Sequence, residues 1–316
     1  MRRYIGAFIL TIFVGVLLGL TLVSAWSIHL LAFLFVLGVT ALAFFRAYHI
    51  LKGVHTLDET YALVSLQAFL DFFTVFTGGV LTYALSVFIG VNAVLASGLV
   101  GILAALFFKP YAVALFCGSF IGMSSPELLS FPNLLIASLV ASLIYVMAKD
   151  VFNGVGGKLG TIALSGVFVT CVLIDQPFLI SGTLDRAIIF WILLFSVAGS
   201  TISNLLNVRL SQGAVMGSAA VGLVFGGFLP VFFSSDGYLL AVVAFGASFA
   251  GMASREYLGD EAWSALAGVV FALLFIYSAE TFGGVGGKLG TIAFASTLSV
   301  SALSYIHSSV RRKVVQ

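Results

Sequence analysis

One twelve-residue stretch occurs twice in this chain. Residues 152–163 read Phe-Asn-Gly-Val-Gly-Gly-Lys-Leu-Gly-Thr-Ile-Ala. Residues 282–293 read Phe-Gly-Gly-Val-Gly-Gly-Lys-Leu-Gly-Thr-Ile-Ala, so eleven of twelve positions agree at an offset of 130. A second pair lies upstream of each copy. Residues 119–129 (SFIGMSSPELL) and 248–258 (SFAGMASREYL) agree at seven of eleven positions, offset 129. Two motifs in the same order and at nearly the same spacing mark a duplicated chain. A repeat of about 115–120 residues is far longer than the ~20–50 residues of a solenoid unit. In an apolar chain, duplication on this scale predicts transporter or channel architecture.

The chain is apolar enough for that argument to apply. Hydrophobic residues make up 61% and charged residues 8%, with mean hydropathy +1.20; a soluble domain carries about 25% charged residues. In lipid the backbone must satisfy its own hydrogen bonds, which leaves a helix bundle or a closed barrel. Long unbroken apolar runs select helices. The net charge of +2 comes from basic residues scattered at the ends of runs, so no nucleic-acid partner is expected. Cys117 and Cys171 both lie in apolar runs, which suggests neither a disulfide framework nor a metal site. No cofactor is expected. Arg2 and Arg3 precede an apolar run from Tyr4 to Val23 in the manner of a signal peptide. A run of about 20 residues is long enough to span, so an uncleaved first helix is expected.

Read in order, the chain divides into an N-terminal unit, 1–59, and two repeats, 60–176 and 187–307, followed by a basic tail, 308–316. The N-terminal unit holds helices at about 4–23 and 28–46, then a polar stretch to Glu59. Repeat one reads as five apolar segments: A at 60–78, B near 85–108, C at 111–125, D at 133–149 and E at 159–175. Repeat two reads as A′ at 187–205, B′ at 213–233, C′ at 238–253, D′ at 262–279 and E′ at 288–306. Segments C and C′ are shorter than the ~20 residues of a full span, and are either re-entrant or spans with a broken middle.

Charge bias arbitrates, because cytoplasmic loops collect Lys and Arg. If C and C′ cross, Arg2, Arg3, Arg46, Lys52, Lys109, Lys149, Lys158, Arg209, Arg255, Arg311, Arg312 and Lys313 are cytoplasmic. Only Arg186 and Lys288 then lie outside. If they do not cross, the bias weakens. The expected fold is therefore an all-α polytopic membrane protein with about twelve helices in a 2 + 5 + 5 plan and both termini cytoplasmic. Five crossings per repeat make the two repeats inverted in topology. The absence of an N-x-S/T acceptor fits a prokaryotic inner membrane.

The glycine-lysine motif is not a phosphate-binding P-loop. The position five residues before its Gly-Lys pair holds Phe152 or Phe282, the position after it holds Leu159 or Leu289, and no strand precedes it. It reads as a tight turn opening a helix. Gly157 with Lys158, and Gly287 with Lys288, are candidate anion contacts at that turn. The competing reading is close helix packing by glycine, with the lysines snorkelling to the surface. Asp150 and Glu280 precede the two copies and are expected to pair with their own lysines.

The second motif is the better site candidate. Gly122 and Gly251 allow a helix to break, Ser119, Ser125, Ser248 and Ser254 supply hydroxyls, and Phe120 and Phe249 (with Phe116 and Phe245) offer an apolar constriction. Close packing by small residues is the alternative. Asp71, near the middle of segment A, costs ~2.5–3.5 kcal/mol to insert and so is a functional candidate for carrying a proton or binding a cation. Gln67 lies one turn before it.

These residues predict a secondary transporter that moves a small polar or anionic solute by alternating access, coupled to H⁺ or Na⁺. The plan resembles that of five-plus-five inverted-repeat carriers such as the bile-acid/sodium symporters and sodium/proton antiporters, in architecture only. The alternative is a passive channel for a small neutral solute with a Phe- and Ser-lined pore, a plan similar to that of urea channels. A membrane enzyme or lipid handler is disfavoured, since no cluster of His, Cys or paired acids offers a nucleophile or a metal site. The expected partners are a small solute or ion and the bilayer, with a homo-oligomer left open.

Overall fold

The computed structural model describes residues 2–53, 65–180, 184–233 and 235–315, with side chains to Arg311. Within those residues the chain forms twelve α-helices and no β-sheet. They are α1 (Arg2–Ile28), α2 (Leu30–Lys52), α3 (Leu66–Tyr83), α4 (Ala93–Phe107), α5 (Ala112–Gly122) and α6 (Phe131–Ala148). Then come α7 (Lys158–Leu173), α8 (Ile189–Asn204), α9 (Ala214–Phe232), α10 (Gly237–Gly251), α11 (Glu261–Tyr277) and α12 (Lys288–Val315). Seven helical stretches are long and apolar enough to cross a membrane: Arg2–Ile28, Leu30–Lys52, Leu66–Phe88, Phe131–Ala148, Arg186–Arg209, Ala214–Phe232 and Lys288–Arg311. This is the make-up of a helical membrane protein. The end of the polar stretch and the start of segment A (54–64), residues 181–183 of the linker and the side chains of Arg312 and Lys313 lie outside the described residues.

Local signals set the helix starts. Ser65 Oγ accepts from the Ala68 N–H at 3.1 Å, Asn92 Oδ1 from Leu95 at 2.9 Å, and Asp260 from Ala262 and Trp263, each capping the helix that follows. Segment A was expected to stop at 78, yet α3 runs through Gly78 and Gly79 to Tyr83 and adds a π-helical turn, Ala84–Phe88. The glycines do not end the helix, because α5 presses on them: a Cβ on Gly78 would meet the Leu115 carbonyl and Gly118. Segment B therefore begins at Ala93, after the Asn92 cap, rather than near 85. Segments C and C′ are not broken in the middle. Gly122 and Gly251 are the last residues of α5 and α10, and each faces a neighbouring helix, α3 and α8 respectively.

The duplication reappears in the packing. α3 packs on α5 as α8 packs on α10, α6 on α7 as α11 on α12, and α4 meets α9. A second π-helical turn, Leu205–Arg209, closes α8 where Ala84–Phe88 closes α3, at an offset of 121. The offset grows from 121 at the start of α4 to 129 at the end of α5 because α9 and α10 are each four residues longer than α4 and α5.

The centre of the molecule is the pair α7 and α12. Both start directly after a glycine in the left-handed region, Gly157 (φ 82°) and Gly287 (φ 93°), a conformation glycine adopts without steric cost. A Cβ on Gly160 would fall on the Gly290 backbone, and one on Gly290 on Gly160, so the two helices touch main chain to main chain. They run antiparallel. Phe152, ahead of α7, packs on Phe294 inside α12, while Phe282, ahead of α12, packs on Phe168 inside α7. The loops swap bonds in the same way. The Ser125 N–H donates to the Gly284 carbonyl at 2.9 Å, and the Ser254 N–H to the Gly154 carbonyl at 2.8 Å. The contacts of the two glycine loops are thus reciprocal.

α1 serves as a ruler for direction, being 27 residues long, or ~40 Å at 1.5 Å per residue. At its start, Arg2 donates to the Val146 carbonyl at 3.2 Å and pairs with Asp150, both at the C-terminal end of α6. Past its other end, the His29 ring lies 6.4 Å from Tyr277, the last residue of α11. The equivalent helices α6 and α11 thus finish at opposite ends of α1. The Asp150 ion pair with Arg2 also corrects the expectation that Asp150 serves Lys158, whose ammonium takes the Lys149 carbonyl and Asn153 instead.

The glycine crossing makes a contrast that can be measured. Gly160→Ala should lower stability by about 1–3 kcal/mol, the cost of overpacking a close contact. Gly38→Ala, where nothing lies within 4 Å of an added Cβ, should be neutral or stabilising by up to ~1 kcal/mol through helix propensity. Thermal unfolding of the two variants in one detergent reads the difference; equal shifts would remove the crossing from its central place.

Candidate functional site

Four phenylalanines meet at the middle of the bundle. Phe116 and Phe120 stand one turn apart on α5, and Phe245 and Phe249 one turn apart on α10. Their rings lie 4.6 Å apart within α5, 4.7 Å within α10, and 4.5 Å across the Phe120–Phe249 contact, mostly in edge-on or tilted geometry. All four are buried. Small residues behind them make the space: a Cβ on Gly101 would strike Phe116, and one on Gly222 would strike Phe245. Such aromatic pairs add ~0.5–1.5 kcal/mol each beyond area burial. The cluster is a buried aromatic plug in the geometric sense only, four rings packed against one another.

A cavity lies on each side of the plug, and Phe120 and Phe249 line both. The larger, about 970 Å³, is bounded by the 283–287 loop, Lys288, Val242, Met123 and Phe275. The smaller, about 290 Å³, is bounded by the 153–157 loop, Lys158, Val113, Met252 and Tyr145. These linings correspond position by position between the two copies. The cavities are thus one site built twice, wide in one copy and narrow in the other. Two strained residues, Phe152 and Phe282, open the two glycine loops. Both sit at φ 53°, a conformation that costs an L-residue roughly 1–2 kcal/mol and is held here by the ring contacts with Phe294 and Phe168.

The two lysines are not equally engaged. Lys158 Nζ donates to the Lys149 carbonyl at 2.7 Å and to Asn153 Oδ1 at 2.9 Å. Lys288 Nζ donates to the Ala279 carbonyl at 3.0 Å, and Gly283 stands where the other copy has Asn153. The single mismatch in the twelve-residue repeat therefore falls on a lysine partner.

The remaining sequence candidates divide by position. Ser125 lines the larger cavity, whereas Ser254 holds the Gly154 loop and lines neither. Ser119 and Ser248 are turned away from both cavities: each shares a 2.7 Å hydroxyl bond with a serine on the preceding helix, Ser97 and Ser218. Gly122 and Gly251 provide close approach to α3 and α8.

Asp71 is buried and forms an ion pair with Lys149 at 2.7 Å, while Gln67 donates to its other oxygen at 3.0 Å. The ammonium stands where a bound cation would. Lys149 also lines the smaller cavity, so the pair connects α3 to that vestibule. Sequence reading missed Lys149 because it lies 78 residues from Asp71. The second copy carries no such pair: Ile192 and Ala279 occupy the equivalent positions, at the offsets of their own segments.

Removing one partner of a buried ion pair strands the other charge. Lys149→Met should therefore cost about 3 kcal/mol, near the lower bound for buried pairs because the lysine is partly exposed. Asp71→Asn/Lys149→Met should recover most of that loss. Unfolding of the two variants in detergent would show whether the charge or the side-chain packing carries the contact.

The chain matches no known family model, no curated protein and no solved structure.

Proposed function

We propose that this protein is a secondary transporter that moves a small polar or anionic solute by alternating access between the two cavities. The observation that carries the reading is the inequality of two equivalent vestibules, about 970 Å³ and about 290 Å³, on either side of one phenylalanine plug. A passive pore built from two equivalent halves has no need of one wide and one narrow mouth. A carrier caught on one side of its cycle has such a shape, and exchanging the conformations of the two repeats produces the other side. Asp71 and Lys149, present at the narrow vestibule alone, are the candidates for coupling to H⁺ or Na⁺.

The reading includes twelve crossings, two inverted repeats, and both termini on the cytoplasmic face of a prokaryotic inner membrane. The opposite ends reached by α6 and α11 along α1 support the inversion, and the bias of Lys and Arg toward one set of loops supports the orientation. The wide cavity then opens away from the cytoplasm.

Two experiments test this. Single cysteines in place of the exposed Lys109 and Asp236, on the α4–α5 and α9–α10 connections, should react with an impermeant maleimide from opposite faces of the membrane. Reaction from one face removes the inverted-repeat plan. In proteoliposomes, the solute should enter saturably and in proportion to an imposed gradient. Phe120→Ala/Phe249→Ala should convert this uptake into a leak, raising gradient-independent flux at least tenfold. Fast, unsaturable flux in the unaltered protein, insensitive to ionophores and to Asp71→Asn, would instead identify the channel.

A further inference from the structure

The larger cavity has one charged side chain among the described residues that line it, Lys288. Among the described residues no carboxylate shares the lining and none forms an ion pair with Lys288. An ammonium carries three donors. The equivalent Lys158 gives two of them to protein acceptors, but Lys288 gives one, to the Ala279 carbonyl, because glycine replaces asparagine at 283. A cation beside apolar walls calls for an anionic partner.

The rest of the wall says what kind of anion. The same cavity is lined by Phe120, Phe249, Phe275, Phe282, Leu239 and Val242. Two of the nearby polar side chains are already engaged with backbone. Ser124 Oγ accepts from the Gly286 N–H and donates to the Ile121 carbonyl, and Asn92 bonds Leu95 and Gly226. A volume of about 970 Å³ is far too large for a lone halide or phosphate. It falls within the ~300–1,000 Å³ range of small-molecule sites, which pair apolar walls with a few placed polar groups.

Building on the carrier reading above, we propose that the larger cavity binds an organic monocarboxylate. Its carboxylate takes the open donors of Lys288, and its apolar body lies on Phe120, Phe249 and Phe275. One cation accounts for one negative charge, and the phenylalanine floor accounts for an apolar remainder. In the other copy, Asn153 already occupies a Lys158 donor, so the same carboxylate is held less tightly at the narrow vestibule. The copy difference thereby gives the carrier a high-affinity face and a release face.

Equilibrium binding to the purified full-length protein tests the proposal, by calorimetry and thermal shift, with acetate, benzoate and phenylacetate as probes and benzamide as the neutral match for benzoate. Benzoate and phenylacetate should bind and stabilise the protein, with acetate and benzamide at least tenfold weaker. Lys288→Gln keeps a hydrogen-bond donor but removes the charge and should weaken benzoate at least tenfold; Lys288→Arg should restore it. Benzamide binding as tightly as benzoate, benzoate binding unaffected by Lys288→Gln, or no binding by any carboxylate would each overturn the proposal. Should the carboxylates fail while Phe120→Ala/Phe249→Ala still opens a leak in saturable transport, the carrier reading stands and this inference alone falls. Should benzoate bind through Lys288 but never cross the membrane, the site stands and the carrier reading falls.

Discussion

The contact between Gly160 and Gly290 sets the geometry of everything around it. Two backbones can come this close where neither residue carries a side chain. Because each glycine sits in the first turn of its helix, the contact draws the N-termini of α7 and α12 together at the middle of the bundle. The loops that lead into them then run past each other, which brings the 153–157 and 283–287 segments against the ends of α10 and α5. Both cavities take one wall from those loops and the other from the phenylalanine plug. In lipid, where apolar burial gives helices little reason to associate, main-chain proximity of this kind is a principal source of attraction.

The second half departs from the first at residues that line the cavities. Three of the differences bear on the cavities. Asn153 becomes Gly283 and releases a lysine donor, the Asp71–Lys149 pair has apolar counterparts, and α9 and α10 each gain four residues. Each change concerns one vestibule and leaves the plug intact. The four-phenylalanine cluster is the element both cavities share, whereas each cavity has its own lysine, Lys158 in the smaller and Lys288 in the larger.

Much of the helix order was legible from apolar runs and their interruptions, because a bilayer tolerates few polar breaks within a span and the breaks are therefore conspicuous. The end of segment A falls too early because Gly78 and Gly79 sit inside α3, where a facing helix needs the room; Gly122, inside segment C, is the last residue of α5. Ser119 and Ser248 were singled out as solute contacts, but each finds its partner on the preceding helix, Ser97 and Ser218, at a separation that no local pattern reveals. Asp71 was conspicuous as an acid in an apolar run, whereas its partner Lys149 looked like an ordinary interfacial base.

The amino-acid sequence by itself determined the helical class, the duplication and the residues that recur in it, since composition dictates the solvent and identity at a fixed offset needs no coordinates. It also held the key asymmetry in plain view, as the single mismatch of the twelve-residue repeat. The tertiary structure alone decided that these residues converge: that four phenylalanines form one plug, that two glycine loops exchange hydrogen bonds, and that Lys288 faces a wide cavity with donors to spare. Convergence depends on which distant helices touch. In this bundle that is settled by where a glycine permits contact, a property of pairs of residues more than a hundred positions apart and not of any local stretch of chain.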